Sequence, residues 1–185
     1  IGEFSGTINF GNGANSLSSA GNTDVFVTKL DSSGSFQWAK NIGGADNETG
    51  TSIAVDKFAN VLTTGWFYNT CDFDPGSANY NLTSDGGPDV FISKLDSLGN
   101  FSWAKKIGGT SFDRCYSISV DTSANVYTSG HFTGTVDFDP DSGVTNLISD
   151  GYWDIFISKL SSVGSLIWAK KMGGSRFELS YSMAV

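Results

Sequence analysis

The chain has 185 residues, which is enough for one domain with a substantial hydrophobic core. Charged residues make up only 16% of it, whereas it contains 23 glycines and 14 phenylalanines, a balance typical of short strands joined by tight turns. Acidic residues outnumber basic ones by 19 to 11, and the net charge of -8 disfavours nucleic acids and anionic membrane surfaces as partners.

Several classes of segment and site are not expected. No apolar run approaches the roughly 20 residues of a membrane-spanning helix, so the sequence predicts no membrane insertion. The chain opens at Ile1 in the middle of a repeated pattern, which indicates a fragment or a processed product, and a missing signal peptide therefore decides nothing. His131 is the only histidine and the two cysteines form no CxxC pair, so a zinc site is not expected.

The predicted elements repeat along the chain. Asp24, Asp89 and Asp154 occupy equivalent positions, and each step between them is 65 residues. The repeated stretches are "TDVFVTKLDSSGSFQWAKNIGG" (23–44), "PDVFISKLDSLGNFSWAKKIGG" (88–109) and "WDIFISKLSSVGSLIWAKKMGG" (153–174). We expect a single region made of a partial unit at 1–44, full units at 45–109 and 110–174, and the first strand of another unit at 175–185.

Each full unit contains four strand-like runs, which we label A to D. In the second copy they cover approximately residues 51–56, 60–68, 89–95 and 100–107. Apolar residues alternate along strand C, and helical periodicity is absent. The A–B turn "KFAN" and the C–D turn "DSLGN" offer Asn or Gly where a positive φ is expected.

A four-stranded antiparallel unit that recurs at fixed spacing predicts an all-β fold made of β-propeller blades. The chain holds about three blade-equivalents, whereas propellers typically close with about four to eight. The predicted region is therefore part of a longer ring, or copies of the chain associate through open blade edges, with the last strand A completing the first blade of a neighbour.

The motifs A-V-D-x-x-x-N-V, D-[VI]-F-[VI]-[ST]-K-L and W-A-K-x-[IM]-G-G recur in this order over nearly the whole chain. In this they resemble the SBBP-type β-propeller repeats of bacterial secreted and surface proteins, and the "DFDPG" loop is similar to those of Bacteroidetes-like members. The resemblance implies a propeller fold and an extracellular or cell-surface location, and it implies no catalytic residues. The first copy departs from the pattern with "INFGNG" at 8–13.

Strands that alternate in direction place the D–A and B–C loops on one face, which we call the loop face. Eleven acidic residues are predicted there, opposed only by Arg114 and Arg176: Asp46, Glu48, Asp72, Asp74, Asp85, Asp113, Asp137, Asp139, Asp141, Asp150 and Glu178. Most lysines are instead predicted on strands C and D. The sequence therefore predicts an acidic loop face.

The B–C loops contain "CDFDPG" at 71–76 and "VDFDPDSG" at 136–143. One interpretation is a turn, in which the aspartates accept backbone N–H bonds and Phe73 packs inward. Another is calcium binding by Asp72 and Asp74, or by Asp137, Asp139 and Asp141, since calcium prefers oxygen ligands. A catalytic carboxylate pair is less well supported, because glycoside hydrolases hold two acids across a substrate rather than along one strand.

The tryptophans fall into two groups. Trp38, Trp103 and Trp168 keep a fixed place on strand D, which favours packing between units over a sugar-stacking role. Trp66 and Trp153 vary between copies and lie near the loop face, and His131 occupies the position of Trp66. We predict Trp66, His131 and Trp153 as ligand-binding candidates. His131 has no nucleophile pattern beside it, so a catalytic role is not expected.

Cys71 and Cys115 are both predicted near the loop face, where they form a disulfide or remain as buried free thiols.

The sequence favours a non-catalytic extracellular or cell-surface module that binds or scaffolds, presenting its loop face to a glycan, a protein or another cell-surface partner. The first alternative is a structural repeat that assembles through blade edges into a larger complex or filament. The second is an enzyme such as a glycan hydrolase or lyase, because a propeller fold does not exclude catalysis.

Overall fold

A computed structural model describes residues 1–11 and 15–185, and all regular secondary structure in these ranges is β. Residues 12 and 13 of the divergent first-copy loop lie outside the described ranges. The strands are β1 (Gly2–Phe4), β2 (Thr7–Asn9), β3 (Ser16–Ser18), β4 (Asp24–Leu30), β5 (Phe36–Gly44), β6 (Glu48–Val55), β7 (Val61–Phe67), β8 (Thr70–Asp72), β9 (Asn81–Thr83), β10 (Asp89–Leu95), β11 (Phe101–Gly109), β12 (Arg114–Val120), β13 (Val126–Phe132), β14 (Thr135–Asp137), β15 (Asn146–Ile148), β16 (Asp154–Leu160) and β17 (Leu166–Met172).

Within the described ranges, no helix is long and apolar enough to cross a membrane.

The main strands form three antiparallel groups, which we call the first, second and third units. The third unit is a four-stranded sheet in the order β12-β13-β16-β17, and the second unit contains β6-β7-β10-β11 in the same arrangement. The first unit contains β1-β4-β5. The all-β prediction is confirmed, and no closed sheet is found among the described residues.

A short hairpin lies between strands B and C of every unit, and the sequence reasoning missed it. The hairpins are β2–β3, β8–β9 and β14–β15. In the second unit, β8 pairs with β5 of the first unit through Gly44↔Cys71 and Gly43↔Asp72, and β14 of the third unit pairs with β11 in the same register. Each of these two hairpins therefore joins its own unit to the preceding one.

The paired glycines at the end of strand D make this junction possible. A Cβ at Gly43 would overlap the carboxyl group of Asp24, and a Cβ at Gly44 would overlap the backbone carbonyl of Thr70. The same two overlaps would arise at Gly108 and Gly109. Any side chain would therefore displace either a buried carboxyl group or the incoming hairpin.

A phenylalanine triad anchors each hairpin to its unit. In the second unit, Phe67, Phe73 and Phe91 are fully buried, and the ring of Phe73 lies 5.3 Å from that of Phe67 and 5.2 Å from that of Phe91. Phe132, Phe138 and Phe156 repeat this arrangement in the third unit. Phe73 packs inward, as the alternation of "DFD" predicts.

Trp38 and Trp103 connect neighbouring units. The Nε1 atom of Trp38 donates to the carbonyl of Ser97 at 3.3 Å, and Trp103 donates to the carbonyl of Ser162 at the same distance. Both acceptors belong to the C–D turn of the following unit. This geometry supports the predicted packing role.

The tight turns are held by aspartates, and the A–B turn has its positive φ angle on an unexpected residue. In the A–B turn, Oδ1 of Asp56 accepts the N–H groups of Phe58 and Asn60 at 2.9 and 3.0 Å. The left-handed residue is Ala59, with φ 62°, rather than Asn60. In the C–D turn, Gly99 takes this conformation with φ 82°, as predicted.

Exchanging the residue type at the two left-handed positions should change stability in opposite directions. Ala59→Gly should raise the free energy of unfolding by up to about 1 kcal/mol, because a left-handed conformation costs an alanine about 1–2 kcal/mol and glycine loses part of that gain through unfolded-chain entropy. Gly99→Ala should lower it by at least about 1 kcal/mol, since the same backbone term applies and the new Cβ would lie 2.8 Å from Cε of Lys40.

Thermal melting checks both changes, and each kcal/mol corresponds to roughly 2–4 °C for a chain of this size. Equal melting temperatures for the two variants and the parent chain would contradict the turn geometry.

Candidate functional site

The three residues predicted to bind a ligand come together at the loop-face ends of the strands. Trp66 is near the end of β7, His131 near the end of β13, and Trp153 immediately precedes β16. The rings of His131 and Trp153 stack at 4.7 Å with an interplanar angle of 17°. Tyr116 connects them to Trp66, because its ring lies 5.3 Å from both His131 and Trp66.

The sequence reasoning missed the other members of this group. The guanidinium of Arg114 lies over the ring of Trp66 at 5.0 Å and near that of Phe112 at 5.9 Å. At the other end, Phe177 contacts Trp153 and stacks on Tyr152, with ring centroids 5.2 and 4.8 Å apart. We call the whole set the aromatic cluster: Trp66, Phe112, Arg114, Tyr116, His131, Tyr152, Trp153, Phe177 and Tyr181.

Aligning the repeats with one another could have revealed the cluster residues that the sequence reasoning missed. Phe112 and Phe177 are equivalent in the D–A loops, and Tyr116 and Tyr181 are equivalent in "YSISV" and "YSMAV".

Much of the aromatic cluster is open to solvent. The exposed fraction is 48% for Phe112, 58% for Phe177 and 64% for both Tyr152 and Tyr181, whereas His131 beneath them is only 2% exposed. Large apolar side chains in contact with one another at a surface mark interaction sites more often than isolated ones do. The arrangement therefore offers a broad apolar surface that includes the cation Arg114 and is bordered by Arg176.

His131 acts as a packed ring in this cluster. Neither ring nitrogen has a hydrogen-bond partner among the described residues. Burial and, to a smaller extent, the neighbouring Arg114 charge together lower the pKa of His131 to about 4, so the imidazole is neutral at pH 7.

The aspartates of the B–C loops hold the loop backbone. Oδ1 of Asp72 accepts the N–H groups of Asp74 and Tyr80 at 3.0 and 2.8 Å, and Asp137 does the same for Asp139 and Thr145. These bonds are those of the predicted turn. Over residues 1–11 and 15–185, no three side chains of His, Cys, Asp or Glu are grouped to hold a metal ion.

The loop face is less acidic than predicted, because strand D lysines reach its carboxylates. Nζ of Lys105 lies 2.5 Å from Oδ1 of Asp141, and Nζ of Lys171 lies 2.5 Å from Oδ2 of Asp150. Lys106 pairs with Asp85 in the same way. The sequence reasoning opposed these acids only by two arginines, since it could not show how far a strand D side chain reaches toward the neighbouring loop.

Other predicted face acids are buried at the junctions between units. Oε2 of Glu48 accepts the N–H of Gly44 at 2.9 Å, and Asp113 accepts that of Gly109 at 2.8 Å. Burial raises the pKa of Glu48 to about 7, against the opposing effect of the Gly44 hydrogen bond. Burial likewise raises the pKa of Asp113 to about 7. These carboxyl groups are structural and do not contribute to an exposed negative field.

Of the two alternatives for the cysteines, a disulfide or buried free thiols, the structure has the buried free thiols. Cys71 and Cys115 are both free and buried, and burial raises the pKa of both thiols. Cys71 lies on β8 and packs with the core of the first two units, whereas Cys115 lies on β12 and packs with the core of the second and third units. The sequence reasoning placed both cysteines near the loop face, and it could not show that they pack in different cores.

The comparisons with known proteins give two partial similarities, and no family model matches the chain. The chain is 26% identical over 149 residues to the regulatory protein FlaEY of Caulobacter vibrioides, covering 78% of this chain and 15% of that protein. It is 28% identical over 175 residues to an uncharacterized WD repeat-containing protein, L264, of Acanthamoeba polyphaga mimivirus, covering 88% of this chain and 13% of that protein. Both similarities agree with a repeated, β-rich chain, while the SBBP-type family and a Bacteroidetes-like origin stay predictions.

The pKa of His131 can be measured directly, since it is the only histidine. We expect the single imidazole signal in an NMR titration to report a pKa near 4, well below the ordinary value of about 6.5. The unfolded chain takes up this proton near pH 6.5, so the contribution of His131 should lower stability as the pH falls from about 6.5 toward 4. Arg114→Gln should raise the pKa slightly, because burial is the larger cause. A pKa of 6 or above in the parent chain would contradict the buried stack.

Replacing Glu48 should remove one pH dependence of stability. The folded chain keeps this proton up to about pH 7, whereas the unfolded chain releases it near 4.5, so the contribution of Glu48 falls as the pH rises through this interval. Glu48→Gln retains an acceptor for Gly44, and it should stabilise the chain above pH 7 by about 1–3 kcal/mol.

Melting at pH 4 and pH 8 tests the Glu48 prediction, with the exposed glutamate variant Glu3→Gln as the matched control. If Glu48→Gln changed the melting temperature by the same amount at pH 4 and at pH 8, the raised pKa would be contradicted.

Proposed function

We propose that the chain is a non-catalytic protein-interaction scaffold and that the aromatic cluster is its contact surface. The observation that carries this proposal is the connected group of aromatic rings in which Phe112, Tyr152, Phe177 and Tyr181 are exposed. Tryptophan, tyrosine and arginine are the residues most enriched where binding energy concentrates in protein interfaces. The mimivirus relative is named as a WD repeat-containing protein, which agrees with a scaffold role.

At the junction between the second and third units, part of the cluster is exposed although both units are in place. Phe112 stays 48% exposed although the third unit is in place beside the second. Trp66 and Tyr116, at the same junction, also keep part of their surface. These three side chains are therefore not fully buried where two consecutive units meet.

We further propose that the units are propeller blades. Support comes from the repeated A-to-D strand order and from neighbouring A strands, where the N–H of Ile118 donates to Oγ of Ser52 at 3.2 Å. Strand A contacts of this kind are expected when four-stranded sheets are arranged about a common centre.

Extracellular or cell-surface binding of a glycan is the more specific version of the proposal. It is supported by the SBBP-type resemblance and by the capacity of exposed tryptophan and tyrosine rings to stack on sugars. The enzyme alternative has less support, because the cluster holds no acid beside its neutral histidine. The relatives are named as a regulatory protein and a WD repeat-containing protein.

Binding should depend on the exposed rings of the cluster. Peptides selected from a displayed random library on the parent chain should bind Tyr152→Ala/Phe177→Ala at least tenfold more weakly, because that variant removes the outer platform. Phe58→Ala is the matched control, since Phe58 is 65% exposed on an A–B turn, outside the aromatic cluster. Selected peptides that bind all three proteins equally would contradict the proposed surface.

The same three proteins should be applied to a glycan array in Ca²⁺ and in chelator. Glycan binding lost in Tyr152→Ala/Phe177→Ala would support the carbohydrate version, and no glycan signal in either condition would remove it. A signal present only with Ca²⁺ would support calcium at the B–C loops, which stays a prediction.

A further inference from the structure

Three acceptor oxygens at the junction between the first and second units have no donor. They are Oδ1 of Asp24, Oδ1 of Asn41 and Oε1 of Glu48, and all three are buried without a hydrogen-bond partner among the described residues. Asp24 and Glu48 are each 0% exposed. Because a buried charge is costly unless it is paired or binds a metal ion, this junction needs a further partner.

The three side chains lie close to one another. Asp24 and Asn41 are in direct contact, because Nδ2 of Asn41 donates to Oδ2 of Asp24 at 2.6 Å. Oε2 of Glu48 accepts the N–H of Gly44, and the carboxyl group of Asp24 lies over the neighbouring Gly43. Burial is the main cause of the raised pKa of Glu48, and the nearby charge of Asp24 also raises it. Two carboxyl groups and an amide therefore share one buried region.

The other two copies supply a cation in the equivalent region. Lys106 occupies the position of Asn41 in the second copy, and its Nζ lies 3.6 Å from Oδ2 of Asp89, the equivalent of Asp24. In the third copy, Lys171 lies 3.5 Å from its own equivalent aspartate. Oδ1 of Asp89 also lacks a hydrogen-bond partner, but its carboxylate already faces an ammonium group. The first copy lacks the side chain that provides this charge.

The first copy has lost the exposed part of this arrangement and kept the buried part. Lys106 also pairs with the exposed Asp85, and the first copy has Ala20 at the position of Asp85. Within residues 1–11 and 15–185, neither Asp24 nor Glu48 forms a salt bridge. The buried carboxyl groups of the first junction are therefore left without the ammonium that the next junction has.

The unpartnered oxygens suit Ca²⁺. All three are oxygen ligands of the kind that a hard cation prefers, and two carboxylates balance the charge of a divalent ion. Mg²⁺ fits less well, because it loses its water ligands reluctantly and this region is buried. Ca²⁺ takes about six to eight oxygen ligands in flexible geometry, so backbone carbonyl groups and water can complete its coordination.

We propose that a Ca²⁺ ion binds between the first and second units, held by the carboxylates of Asp24 and Glu48 and by the amide oxygen of Asn41. The ion takes the role that the Lys106 ammonium has in the next junction. It connects β4 and β5 of the first unit to β6 of the second. This site is separate from the B–C loop aspartates, and it does not rest on binding at the aromatic cluster.

Asn41→Lys tests the site by supplying the ammonium that the second copy has. Isothermal titration calorimetry of the 185-residue chain at pH 8 should show one Ca²⁺ per parent chain and at least tenfold weaker binding to Asn41→Lys. At a Ca²⁺ concentration about tenfold above the Kd, the melting temperature of the parent chain should rise by about 3–6 °C relative to chelator. That of Asn41→Lys should rise by less than about 1 °C, because the ammonium already occupies the region.

Two further variants separate this site from the B–C loops. Glu48→Gln keeps an acceptor for Gly44 but removes one carboxylate, so it should also bind Ca²⁺ at least tenfold more weakly. Asp74→Asn/Asp139→Asn is the matched control, because Asn keeps an acceptor for the loop N–H groups that Asp74 and Asp139 bind. It should respond to Ca²⁺ like the parent chain. Circular dichroism checks that each variant is folded.

The proposal would be overturned if Ca²⁺ neither bound to the parent chain nor raised its melting temperature. Equal responses in the parent chain, Asn41→Lys and Glu48→Gln would also contradict it. A response lost only in Asp74→Asn/Asp139→Asn would place the ion at the B–C loops instead. Stabilisation by Na⁺ or K⁺ without any effect of Ca²⁺ would rule out the divalent ion.

Discussion

Backbone pairing between the end of one strand D and the hairpin of the next unit holds the described architecture together. The pairing is short, only two residues at each junction, but it fixes the position of a hairpin whose phenylalanine fills the core of its own unit. Because the glycines admit only a bare backbone at this point, the junction depends on close approach rather than on side-chain bulk. The sheet, the triad and the interface between units are therefore parts of one packing arrangement.

The polar groups follow from this arrangement. The N–H of Gly44 faces a carboxylate because the chain turns back immediately after the junction, and Glu48 is the residue within reach. Its burial beside Asp24 raises its pKa, so the junction holds a proton near neutral pH. Lysines from strand D satisfy loop aspartates nearby. Many of the loop-face carboxylates are therefore paired with lysines or buried, which weakens the negative field at the surface.

Sequence reasoning could predict what depends on periodicity and repetition. The alternation of strand C placed Val90 and Phe91 on opposite faces, and the fixed place of Trp38 indicated contact between units. It failed where a contact joins residues of different units. The reach of Lys105 toward Asp141, the burial of Glu48 and the pairing of Gly44 with Cys71 all depend on distances across a junction. The left-handed Ala59 was missed for another reason, because turn geometry overrides the preference of the residue type there.

The near identity of the junctions has a consequence for how such a chain folds. The two described junctions have the same register, so during folding a hairpin meets more than one glycine pair with which its backbone could form the same hydrogen bonds. Repeated chains are prone to this kind of mispairing. Side chains on the hairpins distinguish the partners, since Ile8, Cys71 and Val136 occupy one equivalent position with different volumes. Because these side chains differ in volume, we expect a hairpin paired with the wrong unit to pack less well than in its own place.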